Sequence, residues 1–190
     1  MEIKSDGVVR RANQNDVNQI ATLYDNFFPE HIMVRRGFLN NPEYIAQRLE
    51  NFDEFWAVEQ LESEIRGVAA LAISTPVGLG EIERVCVGIE HRNNGIAKKL
   101  LAKLITESKR RDLGFVEAFA RGDQPSMQAA FEKNGFRVYG VSPRFEIVHE
   151  GKVVREQFVH MGLELKPLTI DEQNLVLIPN ARSVYEAIHK

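Results

Sequence analysis

Cysteine is almost absent from this chain, because Cys86 is the single one among 190 residues. One cysteine cannot form a disulfide within the chain, and such low usage is typical of proteins from reducing compartments. The thiol lies inside an apolar run, which favours a buried structural cysteine over a nucleophile. We therefore expect a cytoplasmic protein whose fold does not depend on disulfides.

Long apolar runs are also missing. The longest, Val68 to Ile73, has the length of a strand, whereas roughly 18 apolar residues are needed to span a bilayer. The opening residues, MEIKSDGVVRR, lack the apolar centre of a signal peptide. We therefore expect no membrane partner.

An excess of positive charge is absent as well. The chain has 24 Lys and Arg against 27 Asp and Glu, for a formal net charge of −3. This balance argues against a nucleic-acid partner, which a protein binds through a basic surface. The histidines are scattered singly without the spacing of metal ligands, so we expect no metal.

The length and the 44% hydrophobic content suit one domain with a full core and a modest extension. We place the domain at residues 1–165 and a C-terminal extension at 166–190. In the extension, Leu175 to Ile178 is predicted to form a strand, and Asn180 is predicted to cap a helix. The extension could pack on the domain or pair with a second subunit, which makes a homodimer possible.

Hydrophobic periodicity predicts strands and helices that alternate in the middle of the chain, as in α/β proteins with helices on both sides of one sheet. The predicted strands are Val8–Arg11, Phe55–Glu59, Arg66–Ser74, Glu81–Val87, Phe115–Ala120, Phe136–Val141, Arg144–Val148 and Val153–Met161. The predicted helices follow Asn13, cover Tyr44–Leu49 and Ile96–Asp112, and cover Pro125–Lys133. Gly114 and Gly135 are predicted to end the last two in a left-handed conformation.

One stretch predicts an anion site: the strand that ends at Val87 runs into a polar turn, and the turn opens the long helix at Ile96. The first N–H groups of a helix have no backbone partner, and the helix dipole adds positive charge there, so this geometry binds phosphate. Asn94-Gly95 lets the backbone approach a ligand closely. The turn lacks the Gly-Lys-Ser/Thr of a Walker phosphate loop and the Gly-x-Gly of a dinucleotide fingerprint. An ordinary strand–turn–helix crossover is the alternative.

The turn resembles the signature of the GNAT family of N-acetyltransferases, because Arg92-x-x-Gly95-x-Ala97 matches Arg/Gln-x-x-Gly-x-Gly/Ala. The resemblance extends over roughly residues 8–163, from RRANQNDVNQI to FEKNGFRVYG. It implies a mixed, mostly antiparallel sheet of about seven strands flanked by helices, with acetyl-CoA as the co-substrate. Its pyrophosphate would lie on the turn and its pantetheine arm on the strand before it, where that strand splays from Val116–Ala120. The implied cofactor residues are Val85, Cys86, Val87, Arg92, Asn93, Asn94, Gly95, Ile96, Ala97, Lys98, Ser126 and Phe131. Lys98 could equally lie on a solvated helix face.

Acetyl transfer to an amine needs a base. An alkyl ammonium has a pKa near 10.4, about three units above neutral pH, so supplying the neutral amine costs about 4 kcal/mol. Glu81 and Glu83 are two residues apart on one strand and therefore on one face if the strand is regular. Members of the family that the chain resembles have a glutamate at one or the other of these positions, and we expect one of the two to act as the base. A pair of rim carboxylates balanced by Arg84 is the alternative.

The chain departs from the family pattern at Phe131, where many members have a tyrosine that protonates the leaving thiolate. A thiol has a pKa near 8.5, so leaving unprotonated at neutral pH costs only about 2 kcal/mol, and transfer remains feasible. The resemblance thus predicts direct transfer of the acetyl group to a primary amine in a ternary complex. Because Phe131 cannot donate a proton, a non-catalytic acyl-CoA-binding sensor is the alternative. The residues expected to contact the acceptor are Phe28, Arg35, Arg36 and Arg144.

Overall fold

The computed structural model describes residues 7–149, 152–167 and 175–188. Its strands are β1 (Val8–Arg11), β2 (Glu54–Leu61), β3 (Glu64–Ser74), β4 (Leu79–Val87), β5 (Phe115–Arg121), β6 (Arg137–His149) and β7 (Lys152–Glu164). Its helices are α1 (Val17–Phe27), α2 (Ile32–Arg35), α3 (Pro42–Glu50), α4 (Ile96–Arg110), α5 (Pro125–Glu132) and α6 (Pro179–Ile188).

The seven strands form one sheet in the order β1-β2-β3-β4-β5-β7-β6. The neighbours pair antiparallel apart from β4 and β5, which run parallel because α4 crosses over between them. This confirms the predicted mixed, mostly antiparallel sheet with helices on both faces.

Alternation along the central strands divides the core in two. In β2 and β3, Ala57 and Leu71 pack against α4 and its surroundings, whereas Trp56 and Val68 pack against α1 and α3. Each face of the sheet is therefore covered by helices, as the nearly continuous apolar sequence of these two strands requires. We call the two sides of the sheet the α4 side and the α1 side.

A β-bulge in β4 changes which residues face each side. Glu83 pairs with Ala70 and Cys86 pairs with Val68, so Arg84 and Val85 lie between two paired positions. Arg84 takes a positive φ of 58°, which is unusual for a residue with a side chain. The extra residue shifts the alternation by one, so that Cys86 joins the α1 side while Val85 packs against the α4 side.

The parallel pairing of β4 with β5 ends early. It covers Leu79 to Ile82 on β4, and the residues from Glu83 to Val87 diverge from β5. This confirms the predicted splay, and among the described residues no strand pairs with the β5-facing edge of β4 over its second half.

Four predictions about secondary structure need correction. The positive φ after α4 belongs to Asp112 (φ 62°) and not to Gly114, because the helix ends two residues earlier than its periodicity indicated. β6 is one strand where two were predicted, since its edge position and a bulge accommodate Pro143. Leu175 to Ile178 is not a strand, and α6 begins at Pro179, which places Asn180 inside the helix.

Candidate active site

A cavity of about 320 Å³ lies where β4 and β5 diverge, and residues from both sides of the sheet line it. Most of its wall is apolar and comes from the end of α1, from α2, from β5 and from α5. The apolar lining residues are Phe28, Ile32, Met33, Leu39, Ile82, Val85, Phe119, Ala120, Met127, Phe131 and Phe158. Glu81, Glu83, three arginines, Tyr24, His31 and Gln124 supply the polar part of the wall.

Glu81 and Glu83 both face this cavity. The bulge follows Glu83, so the strand is regular between the two glutamates and they share a face, while Ile82 between them is buried on the α4 side. Burial is the main cause that raises the pKa of each carboxyl above its usual value. Arg144 opposes this rise at Glu81, and Arg84 opposes it at Glu83.

The two carboxylates differ in their partners. Glu83 forms an ion pair with Arg84 at 2.7 Å. The nearest cation to Glu81 is Arg144, at 3.9 Å between Nη1 and Oε1, which is too long for a hydrogen bond. Among the described residues, the Glu81 carboxylate therefore keeps its oxygens available to accept a proton or a hydrogen bond.

Arg84 is held on several sides. Its Nη1 also lies 3.3 Å from buried Glu54, its guanidinium covers the Trp56 ring at 5.3 Å, and Trp56 donates to Glu54 at 2.8 Å. Its carbonyl accepts a 2.5 Å hydrogen bond from the Tyr24 hydroxyl. α1 thus fixes the bulge at its most strained residue.

The two ring groups with a proton to give are poorly placed as acids. Burial raises the pKa of Tyr24 well above its usual value, and its proton points at the Arg84 carbonyl. Burial also lowers the pKa of His31, whose Nδ1 accepts a hydrogen bond from the Met33 amide at 3.2 Å. Both effects favour a neutral imidazole at pH 7 with its proton on Nε2.

The loop before α4 has the geometry of an anion site. Gly95 is the N-cap of α4 with φ 76° and ψ 6°, and Asn93 also has a positive φ of 63°. Residues Arg92 to Gly95 are exposed, and the first amides of the 15-residue helix that follows have no intrahelical partner. Arg92 donates from Nε to the Val87 carbonyl at 3.3 Å and so joins the loop to the end of β4.

The rest of the predicted cofactor set divides between surface and core. Lys98 and Ser126 are exposed, Ala97 is partly buried, and Ile96 is buried against Gly67, where a Cβ would lie 2.8 Å from its side chain. Phe131 is 3% exposed and lines the inner end of the cavity. Burial raises the pKa of Cys86 to about 12, so its thiol stays protonated and the residue is structural.

The acceptor residues expected from the sequence are not all brought together. Phe28 and Arg144 line the cavity, whereas exposed Arg35 is ion-paired with Glu30 and exposed Arg36 lies outside the lining. Sequence reasoning missed Tyr24, Phe119 and Arg121 as lining residues. The alternation in β5 could have found the last two, because Ala118 and Ala120 are buried on the α4 side.

A second group of possible ligands lies on the surface. Atoms of Glu64, Glu90 and His91 come within 4.8 Å of one another, away from the cavity. The absence of a metal therefore stays a prediction.

Among the described residues, no helix is long and apolar enough to cross a membrane.

Comparisons with known proteins identify the family. The model of the acetyltransferase (GNAT) family matches residues 17–136, and no curated protein matches the chain. One similar solved structure is yncA, a putative acetyltransferase from Salmonella typhimurium with its cofactor acetyl-CoA, at 18% identity and TM-score 0.71, covering 88% of this chain and 99% of that one. A phosphinothricin acetyltransferase from Sinorhizobium meliloti in complex with acetyl-CoA has 20% identity and TM-score 0.69, covering 85% and 90%.

A ribosomal-protein-alanine N-acetyltransferase from Brucella melitensis has 21% identity and TM-score 0.69, covering 83% of this chain and 99% of that one. At these identities the structures establish a shared fold. The family model spans more than half of the chain, and the resemblance carried by Arg92 to Ala97 is confirmed: the chain belongs to the acetyltransferase (GNAT) family.

Proposed function

We propose that this protein transfers the acetyl group of acetyl-CoA directly to a primary amine, with both substrates bound at once. The observation that carries the proposal is the position of the two carboxylates. Glu81 and Glu83 line a largely apolar cavity that opens where β4 leaves β5, and the exposed start of α4 follows the same strand.

The chain's own residues fit acetyl-CoA in two respects. Among the described residues no strand pairs with the β5 side of β4 beyond Ile82, so backbone groups there, apart from the Val87 carbonyl that accepts from Arg92, can pair with an amide-containing arm. Gly95 is exposed at the start of α4, where the first amides of the helix and its dipole have the polarity that favours phosphate. The structures from Salmonella typhimurium and Sinorhizobium meliloti, which share this fold, are described with acetyl-CoA.

Acetyl-CoA supplies a thioester carbon that a neutral amine can attack, so the protein's main task is to take a proton from an ammonium. We assign this task to Glu81, whose carboxylate makes no hydrogen bond among the described residues. Its raised pKa makes it a stronger base than an ordinary glutamate. Glu83, whose charge is compensated by Arg84, orients the amine in the cavity.

The leaving thiolate has no evident acid in the described part of the cavity. Phe131 has no acidic proton, and the Tyr24 proton is engaged by the Arg84 carbonyl. Departure as the thiolate costs about 2 kcal/mol at neutral pH, which leaves the base as the more important group. Solvent then protonates the released thiolate.

The buried phenyl ring of Phe131 also supports a second candidate, a sensor that binds acyl-CoA without turnover. An amine screen with acetyl-CoA separates the two: thiol release and the mass of the product are followed for small amines, amino acids, polyamines and peptides. Transfer to at least one amine is the result expected from an enzyme. Acetyl-CoA binding without any acetylated product would favour the sensor.

A further inference from the structure

The cavity contains three arginines, and two of them are fully engaged. Arg84 contacts Glu83 and Glu54, and Arg121 contacts Asp123 at 2.9 Å and Glu156 at 2.7 Å. Arg144 differs: among the side chains that the structure describes, which leave out those of residues 145–149, its nearest carboxylate is Glu81 at 3.9 Å and none forms a hydrogen bond with it. Its side chain is about one third exposed, so a ligand in the cavity can reach its N–H donors.

The guanidinium of Arg144 is nevertheless well fixed. It lies over the Phe119 ring with 3.4 Å between Cζ and the ring centroid. The His160 ring stacks on Phe119 at 4.5 Å and 8°, and His160 is bonded to Glu117 at 2.9 Å. Stacking holds the guanidinium plane but uses none of its N–H groups. The planar fork is thus oriented in advance for a bidentate carboxylate.

The spacing of Arg144 and Glu81 matches a zwitterion. Their closest charged atoms are 3.9 Å apart, which places a cation and an available carboxylate side by side at one end of the cavity. An α-amino acid carries its amine and its carboxylate on one carbon. Such a ligand can give its amine to Glu81 while its carboxylate reaches Arg144.

The remaining wall indicates the side chain of the acceptor. Phe28, Ile32, Met33, Leu39 and Phe158 are apolar, and the charged residues near them are already paired with protein groups. A charged substituent would lose its hydration against these residues without gaining a partner. An apolar or aromatic substituent gains by burial there.

We propose that Arg144 binds the carboxylate of the acceptor, and that the acceptor is a free α-amino acid with an apolar side chain. This inference rests on the proposed acetyl transfer, and it names the substrate class of the same site. A peptide N-terminus lacks the carboxylate next to its amine and is expected to be a poor acceptor.

The test compares matched acceptors in wild type, Arg144→Gln and Arg144→Lys. L-Phenylalanine, phenylalaninamide and phenethylamine share one side chain, and the last two lack the carboxylate. In wild type, kcat/KM for L-phenylalanine is expected to exceed that for phenethylamine by at least about tenfold, as expected for a charged hydrogen-bonded pair. In Arg144→Gln this ratio is expected to fall about 10- to 100-fold, chiefly through KM, while Arg144→Lys is intermediate. The change in the ratio between variants does not depend on the intrinsic reactivity of each amine.

Arg11→Gln is the matched control, because it removes an exposed arginine of β1 that lies outside the cavity and should leave the ratio unchanged. A thermal shift with acetyl-CoA in every variant verifies folding and cofactor binding. If phenethylamine equals L-phenylalanine in wild type, or if Arg144→Gln keeps the ratio, the inference is overturned while acetyl transfer stands. If acetyl-CoA binds and no acceptor in an amine panel is acetylated, the proposed function fails as well.

Discussion

At the scale of the residue, the surroundings of Glu81 determine how readily its carboxylate accepts a proton. Burial raises its pKa, and Glu117 raises it further, while Arg144 works in the opposite direction. Burial is also the main cause that raises the pKa of Glu83, but the Glu83 carboxylate forms an ion pair with Arg84. The two glutamates lie on the same face of one strand, but they thus differ in their capacity to accept a proton.

The first prediction concerns pH. A base must be ionised to work, so kcat/KM is expected to fall on the acid side through a pKa above 4.5, the ordinary value for a glutamate. The profile is measured in wild type and in Glu83→Gln, and both are expected to keep this limb because Glu81 carries it. An acid limb at or below the ordinary value, or one that disappears in Glu83→Gln, would contradict the assignment.

The second prediction concerns Cys86. Its thiol is 1% exposed with a pKa of about 12, and it contacts the Leu23 carbonyl at 3.8 Å. Cys86→Ala is expected to change the transfer rate by less than about threefold, because a protonated buried thiol is not a nucleophile. Turnover and intact mass with acetyl-CoA alone are measured. An acetylated wild-type protein, together with an inactive variant, would indicate transfer through the cysteine.

At this scale the sequence predicted which residues belong to the site better than it predicted the contacts that each of them makes. The two-residue spacing predicted that Glu81 and Glu83 share a face, and the structure confirms it. The sequence did not distinguish Arg144 from Arg35: Arg35 pairs with Glu30 five residues away, whereas Arg144 lies beside Phe119 and Glu81, which come from distant segments.

At the scale of the element, the loop before α4 depends on one backbone conformation. Gly95 has φ 76°, and a Cβ added there would meet nothing within 4 Å. Gly95→Ala is therefore expected to act through backbone strain alone, and to cost about 1–2 kcal/mol of folding free energy. We also expect weaker acetyl-CoA binding, because relieving the strain turns the first amides of α4.

Denaturant unfolding and acetyl-CoA titration measure the two effects. Gly140→Ala is the matched control, because its Cβ would also meet nothing within 4 Å and its φ is not positive. Equal affinity for acetyl-CoA in the Gly95 variant and the control would show that the loop does not hold the cofactor.

The end of α4 provides a prediction about stability. Arg110 and Arg111 donate to Glu107 at 2.6–2.8 Å and lower its pKa to about 2. A lowered pKa stabilises the fold above the ordinary pKa of 4.5, and this contribution is lost as pH falls through about 2. Glu107→Gln is expected to lower the unfolding free energy at pH 7 by about 1–2 kcal/mol, since solvent screens the exposed side of the cluster.

Thermal melts between neutral and strongly acidic pH test this dependence. The difference between wild type and Glu107→Gln is expected to shrink over the window from about 4.5 to about 2, whereas exposed Glu132→Gln should show no difference. A constant difference across that window would mean that packing, not charge, is responsible.

The elements show where sequence patterns stop being informative. Capping and periodicity predicted α1, α4 and α5 to within a few residues, because these signals are local. The bulge at Arg84 had no local signal, since a positive φ normally selects glycine and this one is held by the Tyr24 hydroxyl from α1. Short α2 was not predicted either, because four residues are too few to show a hydrophobic period.

At the scale of the whole molecule, the order of elements predicted one sheet with helices on both sides, and the family resemblance supplied its mixed, mostly antiparallel pairing. The family was recognised from the turn at Arg92 to Ala97 together with the strand before it, the helix after it and the block FEKNGFRVYG, because an anion-binding turn needs glycine at set positions. The acceptor site gave less signal, because the cavity combines parts of α1, α2, β4, β5 and α5 with β6 and β7. Three expectations stay predictions: the domain boundary near residue 165, the homodimer and the cytoplasmic location. The prediction of a strand at residues 175–178 was wrong.

The most direct test of the account is the rate of acetyl transfer by Glu81→Gln at saturating acetyl-CoA. A general base is worth about 10²–10⁴-fold, so we expect the rate to fall at least about 100-fold. The thermal shift with acetyl-CoA should remain at the wild-type value, since the proposed cofactor contacts lie on β4 beyond Ile82 and at the start of α4. A Glu81→Gln protein that transfers at the wild-type rate would contradict the account and return the search for the base to Glu83 or to solvent.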